Sequence, residues 1–216
     1  MKSGKLVCGV GVNDADYVVK KLETVGYVDG KRKRKIVWEC AFYRAWTNML
    51  ERCYSKKWQE KYPTYIGCTV SDEWLTFRNF RSLLMTQDWQ DNQLDKDILF
   101  EGNKVYSPET CVFVSGMVNK FTTDSGAARG EWLIGVCWDK EKNKFQAYCN
   151  NPFTKKKEYL GYFACEQEAH NAWLKRKLEL AKELAVIQTD PRVAEALINR
   201  YSNYKTRAAS ELTIAV

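Results

Sequence analysis

The stretch Leu94 to Phe121, LDKDILFEGNKVYSPETCVFVSGMVNKF, decides how the rest of the chain is read. Two carboxylates bracket a lysine in Asp95-Lys96-Asp97, and a Gly-Asn turn follows at Gly102-Asn103. Then come Tyr106-Ser107-Pro108-Glu109, the apolar run Cys111-Val112-Phe113-Val114, and Met117-Val118-Asn119-Lys120-Phe121. This order predicts a strand, a loop, a second strand and a short helix, with Asp95 on the first arm and Asn119 on the helix. Oxygen donors of this kind suit Mg²⁺ or another divalent cation that keeps several waters, and such an ion assists phosphodiester cleavage. Asp95 with Asn119, or with Asp97 as second ligand, is the candidate metal set. The competing reading is that Asp95 and Asp97 cap turns and pair with Lys96 or Lys104.

Residue by residue, the stretch resembles the HNH-type proteins of bacteriophages. The match rests on Leu94-Asp95, Lys96, Asp97, Gly102-Asn103 and Tyr106 to Glu109. The resemblance implies a ββα-metal core and, for an active member, cleavage of DNA. Active members carry a histidine after the first aspartate; here Lys96 stands there, and the only histidine is His170. Lysine is a poor general base unless burial lowers its pKa. With Asp95, Lys96 and Asp97 as catalytic candidates, Lys96 is expected to contact a phosphate or to stabilise developing charge rather than to abstract a proton.

Upstream, Phe42, Trp46, Met49, Leu50 and Cys53 recur at helical spacing, which predicts an amphipathic helix over about 39–54. Trp74, Phe77, Phe80 and Leu84 predict a second over about 72–85, with Ser71 or Asp72 placed to cap it. Tyr62 to Val70 between them reads as a loop and short strand. The order of tryptophans, cysteines and glycine here also resembles the region before the core in phage HNH proteins, so the likeness covers roughly 38–121. Residues 1 to 37 read as an N-terminal arm. Tyr17 to Val19 and Gly26 to Val28 have strand-like composition, Asp29-Gly30 is a turn signal, and the run Lys31-Arg32-Lys33-Arg34-Lys35 is exposed.

Downstream, the small polar stretch Thr122 to Gly130 predicts a linker over 122–131. A second module follows over 132–186: strands at about 133–138, 144–149 and 156–163, then a helix from about 166 to 185. This order resembles the AP2 DNA-binding domain, through Gly135-Val136, Lys144-Phe145 with Ala147, Tyr159 to Phe163, and Glu168-Ala169. The resemblance implies that the sheet lies in the major groove of double-stranded DNA with the helix behind it. Period-two alternation turns Phe145, Ala147 and Cys149 toward the helix and Lys144, Gln146, Tyr148 and Asn150 outward, joined by Lys157 and Tyr159. Gln146 and Asn150 suit paired hydrogen bonds to a base edge, and Lys144 and Lys157 suit phosphates or guanine. The resemblance calls for arginines on the first strand, where this chain has Cys137 and Asp139. Residues 187–216 predict a C-terminal helix, with Val193, Ala196, Leu197 and Tyr201 on one face, and a tail.

The whole sequence predicts an α+β fold: an HNH-like core with flanking helices, followed by a three-stranded antiparallel sheet plus helix. At 216 residues and 45% hydrophobic content the chain is long and apolar enough for one or two cored domains. No apolar run approaches a membrane span, and Met1 to Lys5 do not open a signal peptide, so a cytoplasmic location is expected. The eight cysteines include no C-x-x-C pair, which argues against a structural zinc site and for reduced thiols. A net charge of +7, gathered in Lys31–Lys35, Lys155–Lys157 and Lys175–Lys177, fits a phosphate backbone as partner. The expected function is DNA binding, with metal-dependent, homing-type endonuclease activity, or an HNH-derived DNA-binding regulator that no longer cuts.

Overall fold

The computed structural model describes residues 5–123 and 131–202. The expected linker, but for its ends, and the tail from residue 203 lie outside the described residues. The chain forms two compact units, Met1–Phe113 and Val114–Val216, divided ahead of that linker.

The first unit opens with a two-stranded antiparallel ribbon of β1 (Lys20–Val28) and β2 (Lys31–Glu39). Val28 pairs with Lys31, so only Asp29 and Gly30 turn the chain. Their φ values of 50° and 71° fit the type I′ turn that the twist of a hairpin favours. The basic run expected as an exposed arm is therefore the first half of a strand. Both faces of the ribbon meet solvent, so no alternation of apolar residues marks it. Tyr17 to Val19 precede β1, and the Val19 carbonyl accepts the N–H of Cys40 at 2.8 Å.

Helix α1 (Ala41–Tyr54) buries Trp46, Met49, Leu50 and Cys53. It starts just past residue 39 because Glu39 still belongs to β2. Helix α2 (Lys56–Lys61) is capped by Ser55, whose hydroxyl accepts the Trp58 N–H. The helix expected over 72–85 is broken into a 3₁₀ turn, Asp72–Leu75, and α3 (Phe77–Leu84). The N-terminal segment causes the break. Val12 donates to the Leu75 carbonyl and accepts from Phe77, which holds Thr76 extended. Ser71 makes no side-chain cap. Trp46, Trp74, Phe77 and Phe80 form the aromatic centre of this core, and the Trp46 indole N–H donates to the Trp74 carbonyl at 2.7 Å. β3 (Thr69–Val70) runs parallel to β5 (Val105–Tyr106), with β4 (Asn92–Asp95) between them in sequence. The units divide within β6 (Val112–Ser115).

The second unit starts with α4 (Gly116–Thr122), whose Val118 N–H is accepted by the Ser115 hydroxyl. β7 (Val136–Asp139), β8 (Lys144–Asn150) and β9 (Lys157–Phe163) make an antiparallel sheet in sequence order. Helix α5 (Glu166–Val186) packs on it through Val136, Ala147 and Ala169. Small residues at this seam let helix and sheet approach closely. Gly135 (φ +84°) completes the approach, because a Cβ there would collide with the Trp173 side chain. Helix α6 (Pro191–Ser202) buries Val193, Leu197 and Tyr201. Among the described residues no helix is long and apolar enough to cross a membrane.

Candidate nucleic-acid interface

The loop after β4 gives each of its conspicuous polar residues an internal partner. Asp95 Oδ1 accepts the N–H groups of Asp97 and Ile98, both at 2.7 Å, in an Asx-type turn. Lys96 is only 5% exposed. Its Nζ donates to both Asp97 carboxylate oxygens, at 2.8 and 2.7 Å, and to the Asn103 carbonyl at 2.8 Å. An ammonium has three N–H donors, so Lys96 has none left for a phosphate. Asn103 closes the loop, its amide nitrogen donating to the Lys96 and Val105 carbonyls. In this structure Lys96 Nζ is turned into the loop, toward Asp97 and Asn103. It is a buried loop pin, held by a carboxylate and a carbonyl that lie close to it in sequence.

Part of the expected metal set is engaged within the loop. Asp97 is neutralised by Lys96, and Asp95 has one oxygen on two backbone amides. Among the described residues no three His, Cys, Asp or Glu side chains converge on a common point. Burial pushes the Cys53 and Cys111 thiols up to about 12, so they pack as small hydrophobes. Replacing Lys96 with alanine leaves the Asn103 carbonyl and a half-exposed Asp97 without their donor. The expected cost is about 1–2 kcal/mol, read as a lowered urea midpoint with an unchanged slope. An unchanged midpoint would show that the pin carries no stability.

The outer face of β7–β9 has a different character. Gln146 lies across from Cys137 and Tyr162, Tyr148 from Tyr159, and Asn150 from Lys157. The ladder shifts register between Ala147 and Tyr148, leaving Leu160 as the extra residue opposite. Gly161, at φ +128°, permits this bulge. It turns Tyr159 and Tyr162 to one side, their rings 5.6 Å apart, although regular alternation would separate residues three apart. Tyr148 stands 5.4 Å from Tyr159 and completes a row of three rings. Lys157 Nζ sits 4.0 Å over Tyr148 and Lys142 Nζ 4.3 Å over Tyr162, both favourable cation–π positions.

Asp139 organises this face. Its Oδ2 accepts the Tyr162 hydroxyl at 2.8 Å and also the Gln146 amide. The Tyr162 bond, with backbone donors behind it, holds the Asp139 carboxyl below the usual carboxylate range. Gln146 Oε1 in turn accepts the Tyr148 hydroxyl at 2.6 Å. The Gln146 amide is thus engaged at both ends, holding Tyr148 through Oε1 and reaching Asp139 and the Tyr162 hydroxyl through Nε2. Lys144, Asn150, Lys157 and Tyr159 are exposed, while Ala147 and Cys149 are buried beneath. Asp139 stands where the resemblance calls for an arginine; Tyr162 was hidden by the bulge, for which Gly161 inside a strand was the available signal.

In the third basic run Lys175 is exposed, while Arg176 and Lys177 are taken up internally. Arg176 pairs with Glu158 at 2.7 Å and Glu179 at 3.0 Å. Lys177 is 9% exposed and donates to the Phe121 carbonyl at 2.8 Å, its Nζ 3.6 Å over the Phe121 ring. Burial lowers its pKa to about 8. His170 is buried against Trp173, and its Nδ1 lies 2.9 Å from the Ile134 carbonyl. A carbonyl only accepts, so Nδ1 carries the proton, and this histidine serves the core. Comparison with known protein families, curated proteins and solved structures returns no match.

Proposed function

We propose that this protein binds double-stranded DNA through the outer face of β7–β9, and that its HNH-like core is a scaffold that does not cut. The observation that carries this reading is the row Tyr148, Tyr159 and Tyr162 between Lys157 and Lys142 on one exposed face. Cations meet phosphates, while flat rings and Asn150 meet sugars and base edges. The closed loop at Lys96 supports the absence of cleavage.

Fluorescence anisotropy with a selected and a random duplex tests it. Lys157→Ala is expected to weaken both duplexes alike and to flatten the slope of log affinity against log salt by about one. Asn150→Ala is expected to cost about 1–3 kcal/mol on the selected duplex only. Equal affinities for wild type and both variants would remove the face from DNA binding.

A metal-dependent endonuclease is the second reading. It rests on Asp95, whose Oδ2 accepts no hydrogen bond from the described residues. Nicking of plasmid DNA with Mg²⁺ or Mn²⁺ that disappears in Asp95→Ala would establish it over the first.

A further inference from the structure

We propose that the β1–β2 ribbon is a second duplex-binding element, one that lies within a groove of DNA. The proposal shares its ligand with the reading of the β7–β9 face and otherwise stands on the ribbon alone.

The ribbon is exposed along nearly its whole length on both sides. Lys31, Arg32, Lys33, Arg34 and Lys35 form no ion pair among the described residues, whereas Lys20 at the base is paired to Glu39 at 2.8 Å. Glu23, across from Lys35, is the single carboxylate between the turn and the base. The cross-strand register sorts these groups. Lys31, Lys33 and Lys35 project from one face. Arg32 and Arg34 project from the other, with their partners Tyr27 and Thr24, and with Leu22 and Ile36 nearer the base; past the register shift at Leu22, Trp38 pairs with Lys21 and lies on the lysine side. Tyr27 is 66% and Trp38 45% exposed. Apolar side chains of this size left open on a ribbon mark a contact surface.

Charge selects the occupant. A second copy of the ribbon would set five cations against five. An anionic lipid surface is flat and would meet one face, leaving the cations of the other in water. A duplex groove has phosphate walls on both sides and base edges between them. The major groove, about 12 Å wide, admits a two-stranded ribbon, and arginine is the side chain best shaped for guanine. Lysines two apart on a strand repeat every ~6.6 Å, close to the ~6.8 Å that two nucleotide steps rise along the duplex axis. The groups thus sort into a lysine face for phosphates and an arginine face for base edges.

The test is a variant with Lys31, Arg32, Lys33, Arg34 and Lys35 all replaced by glutamine, which keeps side-chain length on an exposed strand. Unchanged thermal unfolding checks that the chain still folds. The expected result is an affinity for duplex DNA lowered at least about tenfold near 0.1 M salt, and a salt slope flattened by about four. Affinity and slope equal to wild type would overturn the proposal; if Lys157→Ala weakens binding in the same assay, the reading of the sheet face survives that failure. Loss in the glutamine variant with no effect of Lys157→Ala or Lys142→Ala would uphold the ribbon and sink the sheet reading. Wild-type protein that binds no duplex overturns both. Binding to phosphatidylserine vesicles that needs the same five charges, without duplex binding, overturns the ribbon proposal in favour of a membrane surface.

Discussion

Gly135→Ala is expected to destabilise the second unit by about 2–5 kcal/mol, combining left-handed backbone strain with overpacking. Gly135 has φ +84°, and an added Cβ falls onto the Cβ, Cγ and Cδ1 of Trp173. Trp173 is buried in α5 and stacks on His170, so it has little room to yield. Gly102→Ala is the matched control, with φ +75° and nothing within 4 Å of the added Cβ. It should cost only the backbone strain, about 1–2 kcal/mol. Chemical denaturation of both variants checks the contrast. Equal losses would mean that the approach of Gly135 to Trp173 sets no limit on the packing.

Lys177→Met is expected to abolish a rise in stability between about pH 8 and 10.4 that wild type shows. Burial lowers the folded-state pKa of Lys177 to about 8, with Arg200 adding to the effect and Cys149 opposing it. In that window the unfolded chain binds a proton that the folded chain lacks, so unfolding becomes less favourable as pH rises. Below about pH 8 both states carry the proton and the gain is gone. The full difference between wild type and variant across the window is about 3 kcal/mol. Near pH 7 the methionine variant should be as stable as wild type or more so, by up to about 3 kcal/mol, because an apolar chain of similar volume replaces a desolvated ammonium. The Phe121 carbonyl keeps its bond from the Tyr201 hydroxyl at 3.2 Å. Unfolding free energies measured at intervals from pH 7 to 10.5 decide it; parallel profiles for the two proteins would show that Lys177 titrates normally.

Elements with one buried face were legible in the sequence. Trp46, Met49, Leu50 and Cys53 announce α1, and Phe145, Ala147 and Cys149 announce the inner side of β8. Strand β2 was not legible, because a ribbon wet on both faces needs no apolar period and its charges look like a loop. The helix over 72–85 read as continuous because the segment that interrupts it, around Val12, lies far away in sequence. On the outer face of the sheet, alternation placed Lys157, Tyr148 and Asn150, and it missed Tyr162 where a bulge breaks it. The burial of Lys96 and Lys177 was not legible, for a common reason. Each is buried because it reaches a backbone carbonyl, that of Asn103 or Phe121, and no residue type advertises a free carbonyl.

The Phe121 carbonyl ties together three helices that the sequence assigned to three separate segments. It closes α4 and receives Lys177 from α5 and Tyr201 from α6. Tyr201 also sets its ring edge-on to Phe121 at 5.5 Å and to Trp173 at 6.4 Å. The sheet and α5 are therefore not a self-sufficient module that can be excised at residues 132 and 186. Such a piece strands the Lys177 ammonium in an apolar recess with its acceptor cut away. It also strips one neighbour from Trp173, the residue that seats Gly135 and the sheet. What looks like a detachable module is one part of a body whose closing contacts come from outside the 132–186 segment at both ends.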